Sequence, residues 1–143
     1  MTKFAVRKNA QGKLEILDRI RRKYVVCTDE EKVRQMTIVY LNETLKVPLS
    51  HIAVETALKV NNLSKRTDLV VSNSLSKPAL IVECKAPSVE ITQDVFEQIA
   101  RYNLTLQVNY LMVTNGVEKY FCQLDFEKQI YQFIPQLPEW SAL

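Results

Sequence analysis

The sequence predicts an α/β domain in which a mixed central sheet is flanked by helices, in the order α-β-β-β-α-β-β. Three observations carry that expectation. A capped, amphipathic helical segment opens near Thr28. Two apolar runs, 65–71 and 79–84, are separated only by a short polar linker. Asn115-Gly116 stands between two further apolar runs, which is the strongest short-range hairpin signal. With 143 residues, 47% of them hydrophobic, the chain suits one domain with one core. The expected division is an N-terminal extension over 1–27, a core over 28–134 and an irregular tail over 135–143.

Taken in order, Lys13–Asp18 (KLEILD) alternates weakly and suggests a short strand. Arg19, Arg21, Arg22 and Lys23 form a basic cluster that reads as a solvated face. Thr28-Asp29-Glu30-Glu31 has Thr at the N-cap and Glu at N3, a capping box with acids in the first turn. Val33, Met36, Thr37, Tyr40, Leu41 and Leu45 then recur at helical spacing, and the helix should end near Lys46, before Pro48. His51–Val60 alternates as a strand, with Ile52, Val54, Thr56 and Leu58 on one face. Strands follow over 65–71 and 79–84, and the short loop between them predicts an antiparallel hairpin. Thr92–Leu106 reads as a second helix with Val95, Phe96, Ile99, Tyr102 and Leu106 on one stripe. Val108–Thr114, Glu118–Leu124 and Gln129–Ile134 complete the strands.

Composition removes several function classes. The only glycines are Gly12 and Gly116, so the clustered glycines of a Walker phosphate loop or a dinucleotide fingerprint cannot be built, which excludes an ATP-driven motor and a Rossmann enzyme within the chain. His51 is the sole histidine, which excludes a His-metal cluster and argues against zinc. Cys27, Cys84 and Cys122 are odd in number and far apart, so no disulfide framework is expected. No apolar run reaches the roughly 18–20 residues that span a bilayer. The N-terminus lacks the apolar segment of a signal peptide. A cytoplasmic protein with no membrane partner is the expectation. The net charge of +3 permits a nucleic-acid partner without arguing for one.

The stretch Arg66–Pro87 carries the chemistry. Asp68 precedes one strand, and Glu83 and Lys85 stand two apart at the end of the next, so they share a face from which Cys84 points away. In the obvious hairpin register Asp68 lies close to them. Two neighbouring carboxylates repel unless a cation sits between them. Mg²⁺ suits this place: it takes oxygen ligands and often only one or two carboxylates, keeping waters besides. Asp68, Glu83 and the Cys84 backbone carbonyl are the candidate ligands, with Mn²⁺ as a substitute ion. Lys85 would orient the attacking water or stabilise charge on the phosphate. Lys65 and Arg66 are candidate phosphate contacts and equally well surface charges. Glu55 reads as a solvated strand position that could line the site.

These residues resemble the PD-(D/E)xK nuclease superfamily, and in particular the N-terminal nuclease domain of type I restriction enzyme R subunits. Thr67-Asp68 stands where that family has Pro-Asp, Glu83-Cys84-Lys85 matches ExK, and Ala86-Pro87 follows as in the family. Gln98 and Tyr102 match its QxxxY motif, residues 29–35 resemble its EExVRQ helix opening, and Thr114-Asn115-Gly116 matches its TNG turn. The resemblance covers about Asp18 to Leu124 and implies a restriction-endonuclease-like core. It implies a Mg²⁺-dependent endonuclease acting on DNA, with Gln98 and Tyr102 positioning Lys85 or a DNA phosphate. Tyr102 reads equally well as core. The resemblance makes Glu31 the position where an acid on the first helix reaches the metal, though Glu31 is also accounted for by the capping box. A full R subunit continues into an ATP-dependent translocase; here the chain ends at Leu143, so the expectation is either a stand-alone relative or a partner of restriction-modification or helicase subunits on other chains, and a homodimer would suit double-strand cutting. The alternative is a non-catalytic DNA-binding or subunit-docking module on the same fold.

Overall fold

The structure, a computed structural model, describes residues 4–60 and 63–143, with the side chains at 59, 60 and 63–65 outside the described set. Among the described residues the strands form two sheets. The smaller is antiparallel and built from β1 (Val6–Lys8), β2 (Leu14–Asp18) and β3 (Lys23–Val26). The sequence pattern exposes only β2. Flanking strands are invisible to it because Val6 and Val26 are exposed, so no alternation marks a buried side.

Helix α1 (Asp29–Glu43) follows. Thr28 caps it, its hydroxyl accepting from Glu31 N at 3.0 Å. The predicted box is only half made: Thr28 N donates to Val26 O, and the Glu31 carboxylate turns away to other partners. The helix stops at Glu43, short of the expected end, because Lys46 takes a left-handed φ of 63°. Its buried face also differs from the predicted stripe. Ile38 is fully buried, Met36 is 47% exposed, and three of the buried residues are Glu31, Arg34 and Gln35. A buried ionic patch dilutes the apolar period on which the prediction rested.

The larger sheet has six strands in the order β4 (Ile52–Val60), β5 (Leu63–Ser72), β6 (Pro78–Cys84), β7 (Tyr110–Thr114), β8 (Lys119–Asp125) and β9 (Ile130–Ile134). All neighbours are antiparallel except β6 and β7, which run parallel across the crossover that contains α2 (Gln93–Leu104). The sheet is therefore mixed and has a helix on each side, as expected from sequence. The β5–β6 hairpin forms as predicted. Its turn is held by Asn73, whose Oδ1 accepts from Leu75 N and Lys77 N.

Each face of the sheet has its own core. Val33, Ile38 and Leu41 of α1 pack on Leu69, Val71, Leu80, Val82 and Met112. Phe96, Ala100 and Leu104 of α2 pack on Ile81, Leu111, Val113 and Cys122. Strand β4 does not keep one apolar face: Val54 packs with the α1-side core and Leu58 with the α2-side core. Glu55 between them has a left-handed φ of 50°, which turns the strand over. On α2 the buried set is Phe96, Ala100, Asn103 and Leu104, so the packed face is rotated from the predicted stripe and Tyr102 is 46% exposed.

The Asn115-Gly116 turn spans four residues rather than the three left between the expected strands. Asn115 Oδ1 accepts from Val117 N and Glu118 N. Gly116 has φ 88°, and a Cβ there would sit 3.1 Å from Val33 Cγ2, so the turn packs directly on α1. Beyond β9 the chain makes no further strand, as expected, yet it is anchored. Leu137 is buried, and Trp140, in a short 3₁₀ turn, donates from Nε1 to Ser72 O at 2.9 Å.

Candidate active site

Asp68 lies at a gap in two ladders. In β4–β5 the pairs Val54–Leu69 and Thr56–Thr67 flank the Glu55/Asp68 position, where left-handed Glu55 interrupts the pairing. In β5–β6 the ladder runs from Ser72–Pro78 to Leu69–Val82 and goes no further. One more step of that register sets Asp68 opposite Glu83. Alternation puts both on the face of Val70 and Ile81, with Lys85 two residues beyond Glu83. Cys84 packs in the α1-side core, away from them. The extrapolated register is compatible with the relative placement of Asp68, Glu83 and Lys85 expected from the sequence.

The strands stay together there through side-chain chemistry. Cys84 N donates to Asp68 Oδ2 at 2.8 Å, so the carboxylate replaces a ladder carbonyl. Arg34 Nη2 donates to Asp68 Oδ1 at 3.2 Å. Lys85 N donates to Thr114 O at 2.8 Å, which continues the β6 direction through the ExK segment. Glu83 is buried to the 9% level, and Lys85 is half-buried. Burial and the nearby Asp68 charge push the Cys84 thiol well above its ordinary range, so it stays a neutral thiol.

Arg34 is the centre of a network that the sequence did not reveal. Its side chain is 7% exposed and reaches Glu31 Oε1 at 3.0 Å, Glu55 Oε1 at 3.3 Å and Asp68 at 3.2 Å. Burial disfavours its charge, and the Glu31 and Asp68 carboxylates more than restore it, so its pKa is raised. Arg21 extends the network, meeting Asp18 at 2.6 Å, Glu31 at 3.4 Å and Glu55 at 3.5 Å. Arg21 is thus not part of a merely solvated basic face. Asp18 is fully buried and accepts from Ile20 N and Arg21 N. Burial would raise its carboxyl, but the bonds from Arg21 and Ile20 outweigh it and hold the pKa below the ordinary value. The one signal that could have found Arg34 is its place in the EExVRQ segment, one helical turn after Glu31.

Glu31 accepts from both arginines on Oε1 and from Gln35 Nε2 on Oε2 at 3.3 Å. Burial raises its pKa despite Arg34. It belongs to the arginine network. Glu55 is no bland strand position. With Glu31, Arg34, Ala86 and the start of α1 it lines a cleft of about 510 Å³ beside the ExK segment. Burial is outweighed at Glu55 by Arg34 and Arg66, which lower its pKa. Arg66 is exposed and pairs with Glu55 at 3.2 Å. Lys65 lies on β5, but its side chain is outside the described residues.

Gln98 and Tyr102 stand one turn apart on the exposed side of α2, so the reading of Tyr102 as core does not hold. The helix rests mainly on β7, β8 and β9.

The donor set fits a hard divalent cation. Continued one step, the β5–β6 register would bring two carboxylates to one cross-strand position, and among the described residues no group of three or more His, Cys, Asp or Glu is arranged to hold a metal. That composition suits an ion completed by water, phosphate or backbone oxygen, and disfavours zinc. Among the described residues no helix is long and apolar enough to cross a membrane.

Comparisons with known proteins bear on the family and the fold. No curated protein matches the chain in sequence. The crystal structure of a protein from Anabaena variabilis, described as a "putative nuclease belonging to DUF820", superposes with a TM-score of 0.51 at 11% identity, over 84% of this chain and 80% of that one. At that identity the likeness concerns the fold, which is restriction-endonuclease-like. The model of the family described as type I restriction enzyme R protein N terminus matches residues 29–138. That match takes in α1, the β4–β5–β6 unit with Asp68, Glu83 and Lys85, and α2, and the chain belongs to that family.

Proposed function

We propose that the domain is a Mg²⁺-dependent DNA endonuclease that hydrolyses phosphodiester bonds, with Mn²⁺ able to replace Mg²⁺. One observation carries the reading. The β5–β6 ladder ends at Leu69–Val82, and one more step of its register would set Asp68 opposite Glu83, with Lys85 two residues on. Such a placement would match the PD-(D/E)xK pattern that the sequence resembles. Asp68, Glu83 and the Cys84 carbonyl would hold the ion. When bound, Mg²⁺ would supply Lewis-acid polarisation of the scissile phosphate and ease ionisation of a water.

The chain's own groups do the rest. Lys85, with no ion-pair partner among the described residues, is available to orient the water or to stabilise negative charge on the phosphate. Gln98 and Tyr102 project from the open side of α2 and support Lys85 or a DNA phosphate. Arg66 is exposed beside Glu55 and serves as a phosphate contact. The family name supports DNA as substrate and a place beside other restriction or helicase subunits. A homodimer would supply two sites for double-strand cutting.

Plasmid DNA with Mg²⁺ or Mn²⁺ tests the reading. The wild type should nick or linearise it, and Lys85→Ala should not. Equal cleavage by both, or none by either across metals and salt, sinks it.

A second reading, a non-catalytic DNA-binding or docking module, is favoured by one observation: both Asp68 oxygens already have donors, Arg34 and Cys84 N. Calorimetric titration with Mn²⁺ separates the two, because a docking module has no need of metal affinity.

A further inference from the structure

We propose that Arg34 is a positioning residue. It fixes the Asp68 carboxylate and withholds Glu31 and Glu55 from metal, confining the ion to the Asp68–Glu83 pair. The inference rests on the metallonuclease reading above.

Three carboxylates from three elements converge on one guanidinium: Glu31 of α1 at 3.0 Å, Glu55 of β4 at 3.3 Å and Asp68 of β5 at 3.2 Å. The guanidinium is planar, so its nitrogens fix directions as well as charge. Nη1 takes Glu31 and Glu55, and Nη2 takes Asp68. With Cys84 N on the other oxygen, Asp68 is held at both ends and cannot swing about its χ angles. A ligand fixed in this way keeps the orientation that catalysis needs.

Charge gives the second half of the argument. Among the described residues Arg34 alone joins all three acids: without it Asp68 would keep only Cys84 N, while Glu31 and Glu55, which line the cleft with Ala86, would keep Gln35, the longer contacts to Arg21 and exposed Arg66. Such a cluster would draw a divalent cation to the wrong place. Arg34 is therefore set against metal affinity and in favour of one productive geometry. A purely structural arginine gives the opposite pattern. Its loss loosens the fold and weakens metal binding and cleavage together.

The experiment titrates Mn²⁺ by calorimetry into wild type, Arg34→Met and Arg34→Lys, and measures plasmid cleavage at saturating Mn²⁺. Circular dichroism confirms that each variant is folded. Arg34→Met should bind Mn²⁺ about tenfold more tightly, or take up a second ion, while cleaving at least about tenfold more slowly. If Arg34→Met does not fold, Arg34→Lys decides. A point charge cannot serve three directions, so it should show the same two shifts, smaller in size. Affinity unchanged or weakened in the folded variant overturns the proposal, as does cleavage equal to wild type. Failure of the wild type to bind Mn²⁺ or to cleave overturns the nuclease reading and this inference with it. A competent wild type with indifferent Arg34 variants overturns only this inference.

Discussion

Asp68 Oδ2 accepts the Cys84 amide at 2.8 Å, so an acid side chain occupies the place where a β ladder would put a carbonyl. The consequence is a hairpin that stays closed by side-chain chemistry while its backbone pairing has already ended at Leu69–Val82. A carboxylate bonded to the strand that carries Glu83 and Lys85 has its position set by the fold. This separates two roles of one residue. Asp68→Asn keeps an acceptor for Cys84 N but loses the charge. It should stay folded, within about 1–2 kcal/mol of wild type, while cleavage and Mn²⁺ binding are lost. Asp68→Ala also strands the Cys84 and Arg34 donors and should cost about 3–5 kcal/mol. Urea unfolding beside the cleavage assay checks both; equal destabilisation by the two variants would refute the separation.

Glu83 and Lys85 share a face yet should fail differently. Glu83→Gln should weaken Mn²⁺ binding by about tenfold or more in calorimetry, since a charged ligand is removed. Lys85→Ala should leave Mn²⁺ affinity near wild type or tighter, because a positive charge is lost, while cleavage falls by about 10²–10³-fold. Loss of metal binding in both variants would place Lys85 in a structural role.

What was legible in the sequence was what is local or strictly periodic. The Thr28 cap, the β5–β6 hairpin and the order Asp68, Glu83, Lys85 all follow from neighbours in the chain. The Arg34 network was not legible, because Asp18, Arg21, Glu31, Glu55 and Asp68 come from four elements and meet only after folding. The same burial of charge disguised α1, where Arg34 and Gln35 occupy positions a pattern reader assigns to solvent. A left-handed φ at a glutamate, as at Glu55, carries no sequence signal, so the change of face along β4 could not be anticipated.

Gln98 and Tyr102 can be tested for function without confounding loss of fold. Both are exposed on α2, so Gln98→Ala and Tyr102→Phe should change stability by less than about 0.5 kcal/mol. Cleavage should nevertheless fall by about tenfold or more if they support Lys85 or a DNA phosphate. Thermal melts beside the plasmid assay decide; unchanged cleavage by both variants would remove them from the site.

Gly116 ties the β7–β8 turn to α1, and its replacement should report on that packing. Its φ of 88° is strained for any L residue, and a Cβ would press on Val33 Cγ2 at 3.1 Å. Gly116→Ala should destabilise by about 1–3 kcal/mol, measured by urea unfolding. Gly12 has φ 78° with open space around it, so Gly12→Ala carries only the backbone part and should cost about 1 kcal/mol. Equal costs at the two sites would mean that the contact with Val33 contributes nothing.

Acid should act on this protein through Asp18 and Glu55. The folded-state pKa of each lies below its ordinary value, 3.8 for Asp18 and 4.5 for Glu55. A depressed carboxyl contributes stability that is present above the unfolded value and is lost as pH falls through the folded value. Glu31 acts in the opposite sense. Its pKa is raised above 4.5, so its contribution is greatest below that value and declines as pH rises through the raised one. Asp18→Asn should therefore be less stable than wild type near neutral pH, by about 1–3 kcal/mol, with the gap closing below pH 3.8. Thermal melts of the two proteins between acid and neutral pH measure the gap directly. A gap that stays constant down through that range would mean that Asp18 matters only as a hydrogen-bond acceptor for Ile20 N and Arg21 N, and that its charge opposite Arg21 adds nothing.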